Sequence, residues 1–295
     1  MTADRPTWLI FAPSIFVTVW STGYVGAKFG LGYIEPMTFL ALRFACVVVI
    51  MAGLFAIMRP PIPKSPKEWI HLAIVGFLLQ AMYFGMCYMS FDAGLSVGTL
   101  ALILAMQPIL TSLIAPRWAG ESVSWRQWAG LALGLTGAVL VITATSEVAS
   151  PTLFGFLFAA LALIGITGGT LWEKRFGVSH HPVTANLVGF TAGLLGVSPF
   201  MVAFETMQIS WTWQLIASLV YLITASSLIA VGLLLAMIRA GEVSKVSALF
   251  FLVPPGAAAV AWLVLGEVMP PIAWVGMVVA GFGVFLATNK SKKTS

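Results

Sequence analysis

A small set of polar and aromatic side chains is strung through otherwise apolar runs, and their types suit recognition rather than bond breaking. Val17, Trp20, Ser21, Tyr24 and Lys28 share one face at helical spacing. Gln80, Tyr83 and Cys87 form a second such face, and Ser96, Thr99, Ile103 and Gln107 a third. Gly165, Gly168, Gly169 and Trp172, then Tyr221 and Thr224, then Ser244 and Ser247 supply three more. Hydroxyls and amides would hold the polar head of a small substrate, and Trp and Tyr would wall its side chain. Taken singly, each residue also fits interhelical hydrogen bonding. As a set they predict a central cavity, with Trp20, Tyr24, Gln80 and Tyr83 its strongest candidates. Arg43 is the only charge well inside an apolar run. Seven residues beyond Pro36, it lies about 10 Å along a helix. Burying it unpaired would cost several kcal/mol. It is either a counter-charge for a substrate carboxylate or half of an ion pair with Asp92 or Glu35. Lys28 reads as a side chain snorkelling to the interface.

What is missing narrows the chemistry. All ten acids (Asp4, Glu35, Glu68, Asp92, Glu121, Glu147, Glu173, Glu205, Glu242 and Glu267) lie at or beyond the expected helix ends. A proton-driven pump for cationic drugs ordinarily needs a carboxylate within the membrane. The pattern therefore predicts a neutral or zwitterionic substrate moved without such a relay. The histidines are His71, His180 and His181, all near one face, so nucleophilic and metal-dependent mechanisms lack parts. No charged ring or filter-like stretch suggests a channel. Cys46 and Cys87 read as apolar fillers rather than a disulfide. The expectation is no enzyme, no metal and no cofactor. The expected partners are a small-molecule substrate and the lipid bilayer, not nucleic acid.

The elements that position these residues follow from composition. Hydrophobic residues make up 60% of the chain and charged residues 8%, against about 25% charged in a soluble domain. About 20 apolar residues span a bilayer. The runs place ten helices at 8–28, 36–58, 68–91, 95–116, 125–145, 151–172, 183–204, 212–237, 244–265 and 271–289. The first is read as a retained helix, since no cleavage motif follows it. The N-terminus, the even-to-odd loops and the C-terminus carry Arg5, Arg59, Lys64, Lys67, Arg117, Arg126, Lys174, Arg175, Arg239, Lys245, Lys290, Lys292 and Lys293. The opposite loops carry only Lys28. This bias predicts an inner-membrane protein with both termini cytoplasmic. Trp8, Trp69, Trp125, Trp211 and Trp274 are expected in the interfacial belt.

The chain also repeats itself. Ala93-Gly94 echoes Ala240-Gly241, Ala101-Leu102 echoes Ala248-Leu249, and Pro108 echoes Pro255. After a one-residue slip, Gly120-Glu121 echoes Gly266-Glu267, Trp128-x-Gly130 echoes Trp274-x-Gly276, and Gly137 echoes Gly283. Each half, 1–148 and 149–295, holds five helices. An odd number makes the second half enter from the opposite side, giving an all-α inverted repeat suited to alternating access. Short connections join helices 3 and 4 (Asp92 to Leu95) and helices 8 and 9 (Arg239 to Lys245). With Gly94, Pro108, Gly241, Pro254 and Pro255 as turn and kink residues, they are expected to be external and internal gates. Gly130, Gly134 and Gly137, with Gly276, Ala280 and Gly283, suit close packing of helices 5 and 10 as scaffold. A dimer interface is the alternative use of those faces, and a monomer is expected. Glu121 and Glu267 are expected to cap, not to carry protons.

The AG entry to the fourth helix of each half, the mid-helix proline, the GE after it and the WxG-containing fifth helix resemble the EamA family of the drug/metabolite transporter superfamily. The resemblance covers nearly the whole chain. It implies a small-metabolite carrier, often an exporter, and within the family the chain looks most like bacterial exporters of amino acids, including aromatic ones. Multidrug, nucleobase or sugar efflux is the alternative. The related small multidrug resistance proteins carry a glutamate in their first helix, which this chain lacks.

Overall fold

A computed structural model describes residues 11–145, 152–177, 180–241, 243–260, 262–263 and 268–289, except for the side chain of Tyr24. Readings that rest on Asp4, Arg5, Trp8, Glu147, Glu242, Gly266, Glu267 and the 290–295 tail lie outside the described residues. The rest is helical: α1 (Ala12–Leu31), α2 (Pro36–Met58), α3 (Pro66–Asp92), α4 (Val97–Trp118) and α5 (Trp125–Thr145). After the 146–151 link come α6 (Leu153–Phe176), α7 (Pro182–Phe204), α8 (Trp213–Ala240), α9 (Val243–Val260) and α10 (Pro271–Thr288). A single isolated bridge, Ile34 with Ile209, is the extended pairing among the described residues. There, nine helices, α2 to α10, are long and apolar enough to cross a membrane. The 20 residues of α1 match them in length, but its Ser, Thr and Lys content keeps it below that apolarity. Outward side chains such as Ile57, Phe204 and Val278 are 80%, 80% and 73% exposed. A lipid-facing surface explains that pattern, since water would not tolerate such a belt.

Packing joins the two halves rather than separating them. α1 lies against α8 and α9, α2 against α7, and α3 against α6 and α7. α4 lies against α6 and α9, and α5 against α10. Exchanging α1–α5 with α6–α10 maps these contacts onto one another. The α5–α10 seam is the tightest. A Cβ on Gly137 would stand 2.3 Å from the Ala280 nitrogen, and one on Gly130 2.5 Å from that of Ala287. The glycine faces seen in the sequence thus meet each other within one chain, which is their scaffold role. In lipid no hydrophobic force drives helices together, so this close van der Waals contact is what holds them.

Four helices are not regular. In α3 the stretch Phe77–Phe84, and in α8 the stretch Leu222–Ala230, run with i→i+5 bonds. α4 breaks at Ala105–Met106 and restarts at Gln107. α9 narrows to a 3-10 turn at Leu249–Leu252 and restarts at Val253. Pro108, Pro254 and Pro255 fall in the first turn of each restart, where a missing N–H costs nothing. They therefore mark where each helix begins again, rather than kinking a continuous one. Gly94 and Gly120 take φ of 83° and 68°, which only glycine adopts freely. Gly241 does not share this: its φ is −132°.

Carboxylates of one half cap helices of the other. Glu205, after α7, accepts from the Met37 and Thr38 nitrogens, both at 2.6 Å, and from the Thr38 hydroxyl at 2.7 Å. Glu121, after α4, accepts from the Val243 nitrogen at 2.6 Å, the Ser244 nitrogen at 3.2 Å and the Ser244 hydroxyl at 2.7 Å. Each satisfies amide donors that a helix start leaves open and favours the positive end of its dipole.

Candidate functional site

Three cavities run along one face of α3. At one end a vestibule of about 620 Å³ is lined by Lys28, Tyr33, Glu35, Phe91, Asp92 and Gln208, among others. In the middle a cavity of about 20 Å³ lies among Trp20, Arg43, Tyr83, Phe84, Tyr88 and Ser226, with Phe91 again at its rim. At the far end a cavity of about 10 Å³ touches Leu72, Gly76, Gln80, Glu173, Asn186 and Arg239. From Leu72 to Asp92, α3 rises about 30 Å, the thickness of the hydrocarbon layer. The vestibule has the volume of a ligand site, whereas the other two hold about one water each. Phe91 lines both the vestibule and the middle cavity and so stands between them.

Arg43 stands at the middle cavity, 1% exposed. Its Nε donates to the Ser227 hydroxyl at 2.8 Å and its Nη2 to the Ser226 hydroxyl at 3.0 Å; Nη1 reaches the Tyr88 hydroxyl at 3.4 Å. The guanidinium also lies 4.7 Å from the Phe84 ring centre and 5.7 Å from that of Phe44. No ion pair with Asp92 or Glu35 forms among the described residues. Asp92 is exposed in the vestibule, and Glu35 accepts instead from the Thr206 hydroxyl and the Met207 nitrogen, both at 2.9 Å. Desolvation pushes the Glu35 carboxyl up, but the hydrogen bonds from Thr206, Met207 and Gln208 together outweigh it and hold its pKa below the ordinary value. Opposite Arg43, Trp20 stacks near Tyr83 with ring centres 6.1 Å apart, and Phe84, Phe16 and Phe250 close around it.

The residues singled out from sequence divide into groups. Trp20 and Tyr83 meet Arg43 at the middle cavity, and Gln80 faces the far one. The side chain of Tyr24 lies outside the described residues. Ser21 bonds back to the Val17 carbonyl at 2.6 Å and packs on Gly256. Tyr221 joins Thr22 and the Val19 carbonyl at the α1–α8 contact. Thr99 helps Ser96 start α4. Gln107 donates to Thr111 and Ser247, at 3.1 and 3.2 Å, and Gln127 donates to Ser244 at 3.1 Å. Ser244 and Ser247 thus belong to a polar seam between α4, α5 and α9. Trp172 joins His71, Trp118 and Phe176 in an aromatic cluster on the Arg239 face. From Ser21 onward, none of these is among the residues lining the middle cavity: Ser21 and Thr99 bond within their own helices, and the others join helices.

Sequence reasoning missed Ser226, Ser227, Phe84 and Tyr88, and turned Thr224 inward although it is exposed. The reason is the i→i+5 stretch in each helix, in α8 for the serines and Thr224 and in α3 for Phe84 and Tyr88. It adds a residue per turn and rotates the later residues of the helix away from 3.6-residue spacing. Such stretches gather at functional sites, and those of α3 and α8 both carry cavity residues. The paired serines in an apolar run were the available signal. Glu173 also needs correction. By sequence it is a helix-end acid; in the structure it is 1% exposed and paired with Arg239.

Comparison with known proteins agrees with this architecture. The model of the EamA-like transporter family matches residues 7–143 and again 153–289. A "Probable amino-acid metabolite efflux pump" of Escherichia coli strain K12 is 25% identical, over 92% of each chain. A "Probable terminal-alkyne amino-acid exporter" of Streptantibioticus cattleyicolor is 28% identical over 96% of this chain and 94% of its own length. A solved structure titled "Crystal structure of protein" superposes with a TM-score of 0.77 at 18% identity, covering 96% of this chain and 98% of its own. That likeness is of the fold; the family model matches both halves and most of the chain, so this multi-pass membrane chain belongs to the EamA-like transporter family.

Proposed function

We propose that the chain exports small zwitterionic metabolites, amino acids including aromatic ones, across the inner membrane by alternating access. One observation carries the reading: a buried guanidinium, with no carboxylate partner among the described residues, faces an aromatic wall across the middle cavity. A substrate carboxylate would supply the missing partner in a low-dielectric site, and Trp20, Tyr83 and Phe84 would pack an apolar or aromatic side chain. The names borne by the two relatives point the same way. The proposed chain is a monomer of ten spans, with 1–148 and 149–295 as oppositely inserted repeats. Charge bias puts both termini and the Arg239 face in the cytoplasm. Phe91 and the α3–α4 turn then form the external gate, and the α8–α9 turn the internal one; crosslinking either shut should stop transport. Among its described lining residues the middle cavity has no carboxylate, which supports transport there without a proton relay.

Counterflow of radiolabelled amino acids in proteoliposomes tests this. Phenylalanine and its neutral relatives should exchange and compete, at a rate that a pH gradient leaves nearly unchanged. Exchange of nucleobases or sugars without amino acids would refute the substrate class. Strong acceleration by the gradient would refute the uncoupled mechanism.

A further inference from the structure

The far cavity is built differently from the middle one. Glu173 on α6 pairs with Arg239 at the end of α8, the carboxylate side chain fully shielded and that of Arg239 20% exposed. Yet the pair is incomplete. Among the described residues, Glu173 Oε2, Arg239 Nη2 and Gln80 Oε1 are all buried without a hydrogen-bond partner, and all three residues line the same small cavity. Buried polar atoms nearly always find partners, so three orphans in one place call for a reason. Among the described residues, Arg239 is otherwise held by Nη1 to the His180 carbonyl at 3.4 Å.

We propose that Glu173, Arg239 and Gln80 form a second binding station for the head group of a zwitterionic amino acid, on the cytoplasmic side of the middle cavity. The proposal rests on the amino-acid carrier reading above. The orphans are two acceptors and one donor. An α-ammonium needs acceptors and fits Glu173 Oε2 and Gln80 Oε1; an α-carboxylate needs donors and fits Arg239 Nη2. A zwitterion can slip between the two charges and give each a new partner, leaving the charge of the site unchanged. That avoids the large cost of a lone buried charge. An amine or a carboxylate alone would strand Arg239 or Glu173. The station also leads onward. Gln80 lies about one helical turn from Tyr83, and Phe190 of this cavity packs on Phe44, 5.7 Å between ring centres, beside Arg43. Its opening coincides with release of the α8–α9 turn, because Arg239 ends α8 and the neighbouring Lys174 holds the Ile238 and Gly241 carbonyls.

Inside-out vesicles, which present the cytoplasmic face, and right-side-out vesicles allow each side to be tested. Exchange of radiolabelled phenylalanine is competed with phenethylamine, which lacks the carboxylate, and 3-phenylpropionate, which lacks the ammonium. In inside-out vesicles, where the station is met first, wild type should be blocked poorly by both. Arg239→Gln frees Glu173 and should lower the half-inhibiting phenethylamine concentration at least about tenfold, in inside-out vesicles only. Glu173→Gln should do the same for 3-phenylpropionate. Should either single variant fail to fold, E173Q/R239Q removes both charges together and keeps the test alive; it should lose discrimination among the three compounds. Competition profiles identical to wild type in all variants, with exchange unchanged or uniformly slowed, overturn the station. Wild type that exchanges no amino acid at all refutes the amino-acid reading and the station with it.

Discussion

Replacing Arg43 with Gln should weaken substrate binding while leaving the fold as stable or more so, and the two effects separate the readings of that residue. A charge-assisted bond to a substrate carboxylate is worth about 1.5–3 kcal/mol, which at 1.36 kcal/mol per decade is roughly 10- to 150-fold in affinity. On the stability side, Arg43 holds no ion pair among the described residues, only hydroxyls and ring faces. A glutamine amide can keep one or two of those hydroxyl bonds, and it relieves a charge whose burial in the bilayer costs about 2.5–3.5 kcal/mol on insertion scales. The unfolding midpoint in detergent should therefore hold or rise. Breaking a structural buried pair would instead cost about 3–5 kcal/mol. Arg43→Lys keeps the charge but loses the fork that reaches Ser226, Ser227 and Tyr88 together, and should retain part of the affinity. The assays are phenylalanine counterflow and thermal unfolding of the same preparations. A midpoint that falls steeply in Arg43→Gln while the apparent affinity stays within about twofold would refute the anchor.

Other expectations come from the packing and the caps. Gly137→Leu should lower the unfolding midpoint severely, by about 3–5 kcal/mol of stability, because the obstacle at 2.3 Å is the α10 backbone rather than a flexible side chain. Glu121→Ala should cost about 1–3 kcal/mol by stripping the Val243 and Ser244 donors. It should leave the pH profile of transport alone, where loss of a proton carrier would flatten it. Glu35 has a folded pKa held below its ordinary value, so its contribution to stability is present above about pH 4.5 and fades as pH falls through the folded pKa. The acid limb of the midpoint-versus-pH curve should be shallower in Glu35→Gln.

How far the sequence spoke depends on whether each inference needed one helix or two. The spans, the glycine faces of α5 and α10, and the depth of Arg43 need only composition and rise per residue, and each is visible in the chain alone. The pairing of Trp20 with Tyr83 needed the guess that polar faces turn inward, which lipid enforces. Choosing between cavity and seam needed the partner helix. Gln107, Ser244 and Ser247 look like ligands until Gln127 and Glu121 arrive beside them. Trp172 looks like a cavity wall until His71 and Trp118 surround it. Glu173 looks like a solvated end until α8 brings Arg239 across it.

The irregular backbone is where the two halves depart from being interchangeable scaffolds. Regular helices with interlocked glycines, as in α5 and α10, have one good packing and resist sliding. α3, α4, α8 and α9 each carry an i→i+5 stretch, a break or a 3-10 turn, at corresponding places in the two halves. Such segments hold weaker or shifted hydrogen bonds, so adding or removing a turn of strain there costs less than in a regular helix. They also surround Arg43, Tyr83, Gln80 and the serines that hold the guanidinium. A site meant to meet its ligand from alternate sides needs adjustable walls around a fixed charge. In the alternating-access reading proposed above, these four helices would be the adjustable walls, and the α5–α10 seam the frame against which they move.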